Sequence, residues 1–330
     1  MLELCNTTDE RKRYWNGKSV LVTGATGMMG SWITHVLVAA GAHVTVLVRD
    51  WATGSLLYEG DAVKHVNIVY GSLGDFETLE RIFSDYEPSF VFHMGAQTQV
   101  RAAYRNPKET FESNVLGTWN VLEAARRCDT PPGIIVASSD KAYGSQEKLP
   151  YTEETPLEGE YPYDVSKSCT DLIAQSYVHT YKLPLCITRC GNLYGPGDLN
   201  YDRLIPGTIK SILLGETPII RSDGTYVRDY IFTPDAVDGV LTIAENFGQV
   251  VGEAFNLSTG NKLTVLDLFT TILKLLGSDA KPKILNEATA EIKEQYLSSE
   301  KAKTLLHWQP RHALQESLQI TIDWYKEQLN

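Results

Sequence analysis

The glycine series Gly24-Ala-Thr-Gly27-Met-Met-Gly30 follows directly on an apolar run that starts at Lys18. It predicts a strand, a tight turn and a helix ending near Gly41. In that arrangement Gly24 permits the turn, Gly27 lets a pyrophosphate approach the backbone, and Gly30 lets helix and sheet pack closely. The free N–H groups at the helix start, around Thr26, Met28 and Met29, would meet the anion. The competing reading is a turn that only packs a helix on a strand. The strand–turn–helix order favours the dinucleotide reading.

The alternation continues along the chain. His43–Val48, Val66–Tyr70, 89–92, Gly133–Ala137 and 184–189 read as further strands, with helical patterns over 75–86 and 107–127 and from Tyr163 onward. The expected fold class is α/β, a Rossmann-type doubly wound parallel sheet with a smaller C-terminal α/β substrate lobe. The expected division is 1–190, a dinucleotide-binding domain with the catalytic residues, and 191–330, the substrate lobe. Residues before Trp15 read as a short helix or loose arm, 221–230 as a hairpin, and 314–328 as an amphipathic helix.

Composition narrows the partners. A net charge of -11 and a pI near 5.2 argue against nucleic acid and anionic membrane surfaces, so any phosphate-binding patch must be local. No apolar run is long enough to span a membrane. The first residues lack signal-peptide regions, so a cytoplasmic location is expected. Five scattered cysteines fit reduced thiols. Cys186 and Cys190 read as core residues rather than a metal pair, and no metal site is expected.

The chemistry concentrates in Ser138-Ser139-Asp140-Lys141-Ala142-Tyr143-Gly144, which follows the strand Gly133–Ala137. That places it at the carboxyl edge of the sheet, where ligands bind. Tyr163 and Lys167 stand at i, i+4 and share one helical face. A lysine beside a tyrosine stabilises phenolate and lowers the phenol's pKa. Ser139 would share the moving proton. The plain alternative is a half-buried tyrosine and a surface lysine.

Together, the glycine turn, the Ser-Ser strand end and Tyr163-x-x-x-Lys167 resemble the extended short-chain dehydrogenase/reductase family, which works on nucleotide-sugars. The resemblance runs from Lys18 to about Tyr325. Ser139-Asp140-Lys141, then a small residue and Tyr143, is most similar to the CDP-glucose 4,6-dehydratases. The resemblance implies a tightly bound NADP or NAD, regenerated each turnover. Arg49 looks like a 2′-phosphate binder, which favours NADP slightly, while Asp50 could serve NAD. Ser72 and Leu73 would lie beside the adenine. Met94, Gly95 and Ala96 would pass close to the cofactor, and Gln97 and Arg101 would face sugar or phosphate. Asn192 resembles a diphosphate contact, and Arg203-Leu204-Ile205 a nucleotide cradle. Arg228 is the candidate diphosphate clamp, because guanidinium pairs bidentately with phosphate. Relatives often carry Asp at position 72, Ala at 95 and Pro-Leu at 98–99. Asn114 and Gly117 have a packing role in relatives, whose helices here and from Tyr163 build a homodimer bundle.

By resemblance Asp140 is the acid at O6 and Lys141 the base at C5 of the hexose. The implied reaction is a nucleotide-sugar 4,6-dehydration. A 4-epimerase or an NAD(P)-dependent reductase on the same fold is the alternative, and a cofactor-binding sensor without catalysis a third class. An epimerase has no use for the Asp140-Lys141 pair. The plain reading of that pair is an ion pair closing the strand end.

Overall fold

The computed structural model describes residues 2–5, 7–287 and 291–329, with Leu2 given by its backbone alone. The glycine turn joins strand β1 (Ser19–Thr23) to helix α2 (Met28–Ala39). Strands β2 (His43–Val48), β3 (Val66–Tyr70), β4 (Phe90–His93), β5 (Gly133–Ala137) and β6 (Leu185–Cys190) follow. With Ala254–Leu257 they form a seven-stranded parallel sheet in the order 254–257, β6, β5, β4, β1, β2, β3. The strand order reverses between β1 and β4, which opens a crevice at the carboxyl edge there.

Both faces of the sheet are covered, and the alternation of side chains shows it. Val20 and Val22 of β1 join one core with α2 residues such as Trp32 and Ile33 and with the helix Thr233–Glu245. Leu21 points the other way, into a core shared with α3 (Phe76–Tyr86), α6 (Gly117–Arg126) and α7 (Pro162–Tyr181). A period of two within continuous apolar strands is what a sheet buried on both faces requires. A third core, around Tyr194, Ile209, Leu268 and Tyr325, belongs to the smaller lobe.

Four local features differ from the sequence reading or sharpen it. Residues before Trp15 hold a helix, α1 (Asp9–Trp15), capped by Thr8 and pinned by buried Arg11 against Asp238 (2.9 Å) and Glu245 (2.7 Å). The stretch 107–127 is interrupted: α4 (Val100–Arg105) precedes α5 (Pro107–Phe111), a π turn spans Glu112–Leu116, and α6 follows. The wide turn carries Asn114, which accepts from Gln97 N (2.7 Å) and donates to Ser166 Oγ (2.9 Å). Residues 221–230 are not a hairpin. Val227–Arg228 pairs with Leu263–Thr264 and Glu294–Gln295, whereas Tyr230–Phe232 pairs with Asn192–Tyr194. Asp229 divides them because its buried carboxylate accepts from Ser258, Thr259 and the Leu297 N–H. Finally, the chain crosses the expected boundary at residue 190 more than once, and Ala302, Leu306 and Trp308 also join the large-sheet core. Thr233–Glu245 and Ala254–Leu257 return to the large sheet after the lobe has begun.

Candidate active site

At the carboxyl edge of β1, φ of Gly24 is +69°, and a Cβ there would lie 2.6 Å from Gly95 N. A Cβ on Gly30 would lie 2.2 Å from Gly24 O, so helix and turn touch. Gly27 differs: its nearest neighbour is Gly24 O at 3.3 Å. Its side is open, and as N-cap of α2 it has no side chain to satisfy the first helical N–H groups at Met28 and Met29. Those donors and that open backbone fit a dinucleotide pyrophosphate. Ser55 holds the turn by donating to Thr26 O (2.8 Å).

The adenosine side is less committed. Arg49 Nε donates to Asp50 Oδ2 at 2.6 Å, and both side chains are more than half exposed. The Ser72 hydroxyl accepts from Gly74 N (3.2 Å). Leu73 packs where a Cβ on Gly95 or Gly117 would fall, at 2.9 and 2.8 Å. Met94 and Ala96 flank Gly95 at the end of β4.

Ser139 is the N-cap of a single 3₁₀ turn, Asp140–Tyr143, that closes β5. Its Oγ accepts from Lys141 N (3.2 Å) and donates to Asp140 Oδ1 (2.9 Å). Asp140 is buried, and its Oδ2 has no hydrogen-bond partner. Burial holds this carboxyl above the ordinary range, against the opposing pull of Lys141 and Ser139. Lys141 Nζ donates to Gln295 Oε1, and burial followed by the Arg228 guanidinium pushes its amine down. Burial and a nearby cation are the two conditions a lysine base needs.

Tyr163 and Lys167 come from one face of α7, both buried. Lys167 is not among the leading influences on the Tyr163 phenol. Burial and then Asp140 hold the phenol above its ordinary range, and the opposing influences are Arg203 first and the Ser139 hydroxyl second. Lys167 Nζ points to the end of β5, donating to Ala137 O at 2.8 Å, and burial lowers it to about 8.

Ser139, Asp140, Lys141 and Tyr163 line one cleft with Arg101, Asn192, Arg203, Leu204, Ile205 and Arg228. Gln97 is not among its lining residues; its amide closes on the backbone of Gln99 instead. Every arginine in the cleft has an acid beside it. Arg203 pairs with Asp198 (3.1 Å), Arg228 with Glu291 (3.2 Å), and Arg101 and Arg221 converge on Asp202. These paired arginines are gathered in one cleft of a protein of net charge -11. Guanidinium groups already oriented by carboxylates suit phosphate oxygens.

Residues 21–321 match a protein family described as GDP-mannose 4,6 dehydratase. The chain belongs to this family. Within the wider extended short-chain dehydrogenase/reductase group, it is 32% identical to the CDP-glucose 4,6-dehydratase of Salmonella typhimurium, over 96% of this chain and 92% of the relative. It is also 30% identical to the UDP-glucuronate 4-epimerase of Thermodesulfobacterium geofontis, over 94% of this chain and 96% of the relative. A dTDP-glucose 4,6-dehydratase from Streptomyces venezuelae, solved with NAD, superposes with a TM-score of 0.86 at 29% identity, covering 93% of this chain and 97% of that one.

The sequence reading missed several cleft residues of this dehydratase-family chain. Asp164 follows Tyr163 directly and is buried in the cleft wall, and burial pushes its carboxyl up to about 6. Adjacency to Tyr163 was the available signal. Arg221 and Tyr226 lay in the segment taken for a hairpin. Gln295 and Glu291 carried no signal, since they come from the far end of the chain and meet Lys141 and Arg228 only through folding.

Proposed function

We propose that this chain is a nucleotide-sugar 4,6-dehydratase that converts an NDP-hexose, with CDP-glucose the first candidate, to the 4-keto-6-deoxy sugar and water. The observation that carries this is Asp140 and Lys141 in the substrate cleft beside Tyr163, the acid buried with a free oxygen and the amine lowered by burial and Arg228. Tyr163 and Ser139 handle the O4 proton. Lys141 removes the C5 proton once C4 is a ketone, and Asp140 protonates O6 as water departs. A dinucleotide held by Gly24, Gly27, Gly30 and Lys167 supplies the acceptor and donor for the hydride that moves from C4 to C6. Arg203 and Arg228 hold the diphosphate by exchanging carboxylate for phosphate, and Arg101 faces the substrate from α4. Leu204 and Ile205 cradle the base, and Asn192 reaches the diphosphate.

NADP is the cofactor slightly favoured, because Arg49 can exchange Asp50 for a 2′-phosphate. Arg49→Ala should then weaken NADP far more than NAD in a binding titration, and equal losses would make Arg49 a bystander. All five cysteines are free thiols, in keeping with a cytoplasmic enzyme. The deciding experiment is incubation with CDP-, dTDP-, UDP- and GDP-hexoses, with mass spectrometry of the products. A product lighter by one water supports the reading. A product of unchanged mass with inverted C4 is the outcome of an epimerase and overturns it.

A further inference from the structure

We propose that Gln295 is the positioning residue of the C5 base: its side-chain oxygen holds the Lys141 nitrogen at the cleft wall without bringing a negative charge to it. This rests on the dehydratase reading and adds a requirement to it. A base that serves in every turnover must keep its place both as an amine and as an ammonium. It must also not be held so strongly as an ammonium that the proton is never given back.

The contact is direct. Lys141 Nζ donates to Gln295 Oε1 at 2.5 Å. Lys141 lines the cleft and fully buried Gln295 does not, so the amide holds the nitrogen from behind. An amide oxygen can accept an N–H from either form of the nitrogen, and in the amine the lone pair stays free. Among the described residues no carboxylate forms an ion pair with Lys141, although Asp140 is its neighbour in the chain. The plain reading of the two as an ion pair closing the strand end therefore does not hold.

The backbone on either side of Gln295 is fixed. Glu294–Gln295 runs parallel to Val227–Arg228, with Gln295 in register with Arg228. Val227 N donates to Lys293 O (2.9 Å), Tyr151 N to Tyr296 O (3.0 Å), Ser298 N to Tyr151 O (2.8 Å) and Leu297 N to Asp229 Oδ2 (3.3 Å). The amide is thus carried by a strand rather than a loop, and its neighbour in the sheet is the arginine that faces the same amine. Ordinary packing does not account for the side chain. A buried amide donor without a partner is costly, and Gln295 Nε2 is such a donor among the described residues. The bond to Lys141 is made at that expense.

The charged groups facing the amine are Arg228, Asp140 on its own turn, Asp164 of α7 and Glu291 ahead of Glu294–Gln295. Arg228 favours the neutral amine and the three carboxylates favour the ammonium. A neutral acceptor leaves that balance alone, whereas a carboxylate in contact would tip it to the ammonium. In the reaction the neutral amine takes the C5 proton. The electron pair left at C5 forms the C5–C6 double bond as the C6–O bond breaks, and Asp140 gives its proton to the departing oxygen. Once C6 has received the hydride, the ammonium returns its proton to C5.

The test is Gln295→Glu, which keeps the shape of the side chain and changes its charge. In the cofactor-loaded enzyme with CDP-glucose, water loss at pH 7 should fall by ~10²-fold and recover as pH rises. Reduced-nicotinamide absorbance should still form, because Tyr163 serves that step. A second measurement needs no substrate: acetylation of Lys141 by trace acetic anhydride, read by mass spectrometry across pH, should have its midpoint moved to higher pH. Gln295→Met, which removes the acceptor and adds no charge, should slow water loss by ~10-fold or more with no such move. If Gln295→Glu does not fold, wild-type water loss in Gln295→Met overturns the proposal. A dehydrating wild type whose Gln295→Glu variant keeps the pH profile and the acetylation midpoint overturns the role of Gln295 and leaves the dehydratase reading intact. Oxidation and water loss falling together in both variants, with no move in pH, makes Gln295 a structural residue and overturns it too. A wild-type product of unchanged mass overturns the dehydratase reading, and the proposal with it.

Discussion

Lys141 is the residue whose setting most separates dehydration from simple epimerisation. Burial and then Arg228 lower its amine, the direction that the proposed C5 base requires, and it lines the cleft with Tyr163. Lys141→Met should therefore still show reduced-nicotinamide absorbance with substrate, while water loss drops by ~10²-fold or more. In deuterated water the wild-type product should carry deuterium at C5 and the original C4 hydrogen at C6, which NMR can read. Asp164 allows a check on electrostatics that needs no substrate. Its folded carboxyl, at about 6, lies above the unfolded value, so the folded state binds the proton more tightly. The ionised form then costs stability, a cost absent below about pH 4 and complete above about pH 6. Asp164→Asn should be more stable than the wild type by ~1–3 kcal/mol at pH 7.5, with the gap closing at pH 4 in thermal melts.

The turn between β1 and α2 separates glycines that serve packing from one that serves a ligand. A methyl on Gly30 runs into the backbone oxygen of Gly24, which cannot swing aside. Gly30→Ala should cost ~2 kcal/mol or more in a denaturation titration. Gly27 has only one neighbour in reach, at 3.3 Å, and an ordinary negative φ of -81°. Gly27→Ala should change stability by less than ~1 kcal/mol yet weaken dinucleotide binding by ~10-fold or more by calorimetry, because the new methyl fills the open side of the turn. Equal effects of the two substitutions on binding and stability would mean that both glycines are packing residues.

Across the whole molecule, a net charge of -11 contrasts with a cleft in which four arginines are each paired with an acid. A second surface stands out on α6 and α7. Trp119 (53% exposed), Leu172 (52%) and Tyr181 (54%) lie outward, with the Trp119 indole reaching Tyr177, which in turn packs against Tyr181. This exposed apolar patch on two packed helices is where the homodimer bundle implied by the resemblance would have to form. The wild type should sediment as a dimer, and Trp119→Asp combined with Leu172→Asp should sediment as a monomer. A wild-type monomer at micromolar concentration would overturn the expected homodimer.

What the sequence alone determined was local and periodic. The strand–turn–helix spacing of Gly24, Gly27 and Gly30 announced the parallel sheet, because backbone approach and helix packing are decided within a few residues of one another. Ser139-Asp140-Lys141 and Tyr163-x-x-x-Lys167 were legible for the same reason, as a strand end and a helical face. The tertiary structure decided the rest. It turned Lys167 towards Ala137 and made Arg203 the cation that acts most on the phenol. It brought Gln295 to Lys141 and Glu291 to Arg228 from the far end of the chain, and it split 221–230 around Asp229. These depend on contacts between residues far apart in the chain, and on how deeply each charge is buried. Neither is written in the spacing of neighbouring residues, because burial is a property of the packed molecule rather than of any segment in it.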